Sequence, residues 1–182
     1  VMASIARNMM QEDFKEIFWP KTNLLIVAPE KSLHLNQYPF PSLLVAFCVK
    51  FVGGSFEFWG RFQAVLFNFF SAGLLLLVGA RLFDRNTGLV AFILFLLLPF
   101  SVIYGQMFIC ESMAVFFLLA SILLVIKKNE LPLWRNVAAA LLFSVAIANR
   151  AHFIFFLPLF FSFLWRYPNR VFLLISFFFF SL

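Results

Sequence analysis

The chain has 182 residues, of which 64% are apolar and only 12% charged, and its mean hydropathy is +0.99. A soluble domain carries roughly 45–50% apolar and about 25% charged residues, so the composition excludes one and points to a protein with several membrane spans. The net charge of +6 comes in large part from basic residues standing between apolar runs, a pattern of membrane topology rather than nucleic-acid binding; two cysteines, Cys48 and Cys110, are too few for a disulfide scaffold.

Residues 1–57 are expected to form a first outer loop with amphipathic, juxtamembrane helices. Over Val1–Trp19, Met2, Ile5, Met9, Phe14, Ile17 and Phe18 fall on one helical face, and Arg7, Asn8, Gln11, Glu12 and Lys15 on the other. That spacing predicts a helix lying on the membrane surface, with Trp19 at the interface and Pro20 ending it. Lys21–Gln37 is irregular apart from a short apolar run at Leu24–Ala28. Pro39 and Pro41 then open a second apolar stretch, Ser42–Val52, too short to span, which Gly53-Gly54 closes. An outward segment of this length needs an earlier membrane helix to export it, expected upstream of Val1. The apolar run reaching Leu182 likewise reads as part of a longer protein.

Residues 58–182 read as an all-α transmembrane bundle of five complete spans and a truncated sixth. A helix rising about 1.5 Å per residue needs about 20 residues to cross roughly 30 Å of hydrocarbon. The stretches nearest that length are Phe58–Leu82, Gly88–Tyr104 with Pro99 near its end, Phe108–Ile126, Trp134–Asn149, the short His152–Trp165, and Val171–Leu182. Basic residues in short loops set the orientation. Arg81, Arg85, Lys127, Lys128, Arg135, Arg166 and Arg170 fall in alternate loops and share the expected cytoplasmic side, whereas the short loops Tyr104–Glu111 and Asn149–His152 hold only Arg150. Those two turns and residues 1–57 are therefore expected to face outward.

Few polar residues remain near that outer face. Glu111 stands at the outer end of the third span, where a carboxylate is unfavourable unless solvated or paired; a water-exposed interfacial acid is the plainer alternative. Arg61 lies one turn inside the first span and either snorkels or holds an anionic head group. Arg150 runs against the inside rule, which a phosphate or carboxylate partner would explain. Asn68 and Ser71, inside the first span, are expected to bond between helices, and Arg81-Leu-Phe-Asp84-Arg85 to anchor the cytoplasmic end. His152 is alone. No His/Cys cluster at metal spacing, Ser-His-Asp set or phosphate-binding glycine loop is visible, so no metal or cofactor is expected. An outward cavity with an acid, two or three arginines and aromatic walls suits an enzyme that handles a lipid phosphate.

Four stretches, in order along nearly the whole chain, give it a resemblance to the membrane glycosyltransferases of the GT-C superfamily, in the protein mannosyltransferase-like and aminoarabinose-transferase-like branch (glycosyltransferase families 39 and 83). They are Ala3-Ser-Ile-Ala-Arg-Asn-Met9; Asn36-Gln-Tyr-Pro-Phe-Pro-Ser-Leu-Leu44; Phe58-Trp-Gly-Arg-Phe62 with Ala80-Arg-Leu-Phe-Asp-Arg-Asn-Thr-Gly88; and Leu98-Pro-Phe-Ser-Val-Ile-Tyr-Gly-Gln-Met-Phe-Ile-Cys-Glu111. Ala146-Ile-Ala-Asn-Arg150 is a weaker match. Each motif is loose, and their order and spacing carry the likeness. The resemblance implies transfer of a sugar from a polyprenyl-phosphate carrier to a protein, lipid or glycan acceptor on the non-cytoplasmic face, in a bacterial inner membrane or an ER membrane. It makes Glu111 the acid of the second outer loop, with a principal acid expected before Val1. It places Arg7, Gln37, Tyr38, Arg61, Tyr104, Gln106 and Arg150 among the donor-binding positions. Gln37 and Gln106 depart from the Glu and Arg common there, and Cys110 replaces the usual Pro or Thr. The other readings are a transporter or flippase-like protein, in which Glu111 and Arg150 gate a path, and a non-catalytic relative.

Overall fold

The computed structural model describes residues 2–11, 21–22, 32–33, 38, 40–126 and 133–158. These are helical apart from a two-residue antiparallel ladder in which Lys21–Thr22 pairs with Ser32–Leu33. The helices are α1 (Met2–Gln11), α2 (Phe40–Val52), α3 (Phe56–Leu82), α4 (Arg85–Leu97), α5 (Pro99–Tyr104), α6 (Glu111–Val125) and α7 (Leu133–Asn149), followed by a 3₁₀ turn over Ala151–Phe156.

α1 is the first amphipathic stretch, described as far as Gln11. Its apolar side is not turned to a membrane surface. Ile5, Ala6 and Met9 are buried against Val45 and Ala46 of α2, with Phe56, Trp59 and Phe108 around them. Asn8, read as part of the polar face, is 2% exposed. Arg7 does reach solvent, its guanidinium 5.7 Å from the Phe56 ring. The Ser42 hydroxyl of α2 donates to the Met2 carbonyl at 3.0 Å and pins the two helices. α2 ends where expected, at Gly53 and Gly54, whose φ values of 85° and 97° lie in the left-handed region that glycine tolerates. The Trp59 indole N–H closes this corner on the Gly53 carbonyl at 2.7 Å.

α3 starts because the Ser55 hydroxyl accepts from the Phe58 amide at 3.2 Å, an N-cap on one of the helix's orphan donors. With 27 residues it rises about 40 Å, and it is the one helix among the described residues long and apolar enough to cross a membrane. α2, α4 and α6 are apolar but shorter, at 13, 13 and 15 residues.

The expected second span is two helices. α4 begins three residues before Gly88 because the Asp84 carboxylate accepts from the Asn86 and Thr87 amides and the Thr87 hydroxyl. It stops at Leu98, where Pro99 lacks the N–H the helix needs and opens α5 as an N1 proline. α3 and α4 are joined by two residues only, so their backbones must come close. A Cβ on Gly79 would stand 2.8 Å from Gly88 Cα, a distance that only two glycines permit.

The third expected span is helical only from Glu111, and 105–110 is an irregular turn. α6 packs on α3 and α7, and the α6–α7 contact is the main core. Phe143 is fully buried against small and branched neighbours that include Ala114, Leu118, Ile122, Ala139, Ala140 and Ala146. Alanines at 139, 140 and 146 sit on one face of α7 and admit α6. The Ser121 hydroxyl donates to the Ala139 carbonyl at 2.8 Å across this interface. The start of the fifth expected span is the 3₁₀ turn. Residues 159–165 of that span, the sixth span, residues 12–20, the Leu24–Ala28 run and Gln37 lie outside the described residues.

Candidate functional site

Glu111 is the first residue of α6, and Arg150 follows the last residue of α7. α6 and α7 pack against each other with the start of one beside the end of the other, which brings residues 39 positions apart in sequence into contact. Arg150 Nη2 and Glu111 Oε1 form an ion pair with side chains 23% and 29% exposed. Each charge is also favoured by its own helix: the carboxylate at an N-terminus, the guanidinium just past a C-terminus. The Arg150 amide donates to the Ala146 carbonyl at 2.9 Å, and its own carbonyl accepts from Phe153 at 3.0 Å, so its backbone is fixed on both sides. Glu111 Oε2 and Arg150 Nε are both buried with no hydrogen-bond partner among the described residues.

A partly open cavity of about 100 Å³ adjoins the acid. Asn68 of α3, Phe95 and Leu98 at the end of α4, Phe100, Ser101 and Tyr104 of α5, Gly105, and Glu111, Ser112 and Val115 of α6 line it. It is smaller than the ~300 Å³ of a whole-ligand pocket. Its lining is almost wholly apolar, and two of its polar residues bond each other: the Ser101 hydroxyl donates to Asn68 Oδ1 at 3.2 Å, and Asn68 Nδ2 donates to the Ser101 carbonyl at 3.4 Å. Asn68 thus bonds between helices, as expected. Ser71 does not: its hydroxyl donates to the Phe67 carbonyl of its own helix at 2.7 Å.

Tyr38 joins this end of the molecule. Its amide donates to the Ala148 carbonyl at 3.0 Å, two residues before Arg150, and its ring lies 4.7 Å from that of Phe40. Burial raises the pKa of its phenol. Tyr104 lines the cavity and stacks on Phe100 at 4.3 Å.

Three residues singled out with these stand elsewhere. Arg7 lies over Phe56. Arg61 is exposed on α3. Gln106 is exposed, and its amide donates to the Val102 carbonyl at 2.8 Å. None of the three lines the cavity. Gln63 and Asn149 are buried amides that were not singled out from the sequence, as is Asn136 of α7. Gln63 Nε2 donates to the Pro41 carbonyl at 3.1 Å and fastens α2 to α3. Asn149 is fully buried next to Arg150, with its Oδ1 unpartnered among the described residues. A polar side chain inside an apolar run was the signal at Gln63 and Asn149. Among the described residues no group of three or more His, Cys, Asp or Glu side chains gathers as for a metal.

No family model, no curated protein and no solved structure matches the chain.

Proposed function

We propose that the chain is part of a multi-pass membrane glycosyltransferase, with Glu111 and Arg150 acting on a polyprenyl-phosphate-linked sugar at the non-cytoplasmic face. One observation supports this above the rest. A carboxylate and a guanidinium meet beside a cavity, and each keeps one buried atom without a partner, Glu111 Oε2 as an acceptor and Arg150 Nε as a donor. A hydroxyl that gives its proton and a phosphate that takes a hydrogen bond are the groups such a pair suits.

In that reading the acceptor hydroxyl oxygen attacks the anomeric carbon of the donor and its proton passes to a carboxylate. The bond from that carbon to the carrier phosphate breaks, and the phosphate leaves with the bonding electrons. Glu111 receives the proton or orients the hydroxyl. Arg150 balances the charge that develops on the phosphate. Asn68, held by Ser101, orients a ligand hydroxyl, and Tyr104 and Phe100 supply an aromatic wall. The partners are the lipid-linked sugar, its protein, lipid or glycan acceptor, and the surrounding membrane lipids.

The test is steady-state transfer by the full-length protein in proteoliposomes with dolichyl- and undecaprenyl-phosphate sugars as donors. Arg150→Ala should raise the apparent KM for the donor about tenfold or more, as loss of a charged hydrogen bond of ~1.5–3 kcal/mol requires. An unchanged KM would make Arg150 structural.

The helix break at Leu98–Pro99 beside the cavity favours a second reading, a transport path, because interrupted membrane helices often line one. Counterflow of a labelled lipid-linked sugar without any transfer to acceptor would select it.

A further inference from the structure

The opposite end of α6 carries a second constellation, and nothing in the proposed chemistry uses it. Arg81, in the last turn of α3, donates from Nη1 to the Leu123 carbonyl at 3.2 Å. Arg135, in the first turn of α7, donates from Nη2 to the adjacent Leu124 carbonyl at 3.4 Å. Two guanidiniums from different helices therefore converge on successive carbonyls of the last turn of α6. Those carbonyls are the orphan acceptors of a helix C-terminus, and their partial negative charge draws cations there.

The bonds satisfy dipoles but do not neutralise charge. Among the described residues neither arginine has a carboxylate within ion-pair distance. The nearest acid along α3, Asp84, is committed to the start of α4 through the Asn86 and Thr87 amides and the Thr87 hydroxyl. Arg85, next to it, is exposed and adds a third positive charge. In sequence, the segment linking α6 to α7 adds Lys127 and Lys128 against Glu130 alone.

Depth sharpens the imbalance. α6 has 15 residues and rises about 22 Å, less than the ~30 Å of hydrocarbon, so both of its ends cannot lie at the two interfaces. The guanidiniums are bonded one turn before the C-terminal end, beside Leu82 and Phe83, which are exposed. Cations at such a level need a counter-charge that the bilayer itself can bring.

A guanidinium has five N–H donors, and each of these arginines uses one on α6. The remaining forks match phosphate oxygens, which they bind bidentately. We propose that Arg81 and Arg135 hold the phosphate head group of an anionic phospholipid at the C-terminal end of α6, clamping α3 and α7 to it. The site rests on the membrane part of the proposed function and is independent of sugar transfer.

The experiment is native mass spectrometry of the full-length protein, reconstituted into nanodiscs of equal parts phosphatidylglycerol and phosphatidylcholine and then released. Retained phosphatidylglycerol should exceed retained phosphatidylcholine, by about fivefold for each arginine, the ratio that ~1 kcal/mol per basic residue corresponds to. The excess should shrink as salt rises before release. It should vanish in Arg81→Gln/Arg135→Gln and persist in Arg61→Gln, which removes an exposed arginine elsewhere on α3. Should the double variant lose helix by circular dichroism, the wild-type ratio and its salt dependence decide alone. Equal retention of the two lipids overturns the proposal, as does an excess that survives the double substitution in folded protein. Displacement of the lipid by millimolar inorganic phosphate would assign the arginines to a free anion and overturn the lipid assignment. A protein that enters no nanodisc contradicts the membrane reading instead.

Discussion

Glu111 and Arg150 each stabilise the other, so their substitutions should not add. Arg150→Gln and Glu111→Gln each leave a half-buried charge facing a neutral group, whereas the double variant leaves none. In thermal unfolding the double variant should lose clearly less than the sum of the singles, and strict additivity would mean that the contact contributes nothing. Asp84 gives a prediction in pH. The Thr87 hydroxyl, with the Asn86 and Thr87 amides, holds its carboxyl below the ordinary carboxylate range. A folded-state pKa below the unfolded one contributes stability that is present above the unfolded value. That contribution is lost as pH falls from there through the folded value. Asp84→Asn keeps a capping oxygen without the charge, so its melting temperature should fall less steeply than that of wild type over that range. Equal slopes would remove Asp84 from the pH response. At this scale Glu111, Arg150 and Asn68 were legible because polar groups are scarce in an apolar chain and must find partners. Arg7, Arg61 and Gln106 were less so, because a long side chain at an interface turns to whatever ring or carbonyl packing brings near it.

The helices that the sequence shows most clearly are α2, closing at Gly53-Gly54, and α7, ending at Asn149, while the Ser55 cap starts α3 two residues before the expected Phe58. The second expected span ends at Tyr104 as read, but its start and its continuity differ for local reasons. The Asp84 cap moved its start forward, and Pro99 divided it. Apolar periodicity registers neither, since the cap lies in the polar stretch 84–87 before the apolar run and Pro99 lies inside that run. The amphipathic reading of α1 found the right apolar stripe and the wrong neighbour. A stripe of Ile5 and Met9 fits a lipid surface or another helix equally, and α2 is what it meets. Two substitutions test the packing. Gly88→Val places a branched side chain against the α3 backbone, where a Cβ already meets the Ala80 nitrogen at 2.8 Å. It should destabilise the hairpin by about 1–3 kcal/mol, read in denaturant unfolding. Phe143→Ala empties the centre of the α6–α7 interface and should lose about 3–5 kcal/mol. Wild-type stability in either variant would contradict the packing described.

At the scale of the whole molecule, composition was decisive about helices and less so about how many cross a bilayer. Among the described residues α3 alone meets the length and apolarity of a span; the three shorter apolar helices need tilt-free passage through a thinned bilayer, or flanking residues, to cross. Many large apolar side chains also face outward, among them Phe62, Phe69, Leu94, Leu97, Phe100 and Ile103, as a lipid-facing surface requires. The alternation of basic loops gives a definite expectation for sidedness. In the protein depleted of its own cysteines, a cysteine at position 112 should label from the outer side and one at position 129 should not, and the reverse pattern would invert the topology. Sugar transfer by the full-length protein bears on the functional reading as a whole. In proteoliposomes supplied with a polyprenyl-phosphate sugar, wild type should transfer the sugar to acceptor, while Glu111→Gln, inserted and folded to the same extent, should fall by a factor of about 10²–10⁴, the range of a lost general base. Full transfer by Glu111→Gln would contradict the role given to the Glu111–Arg150 pair.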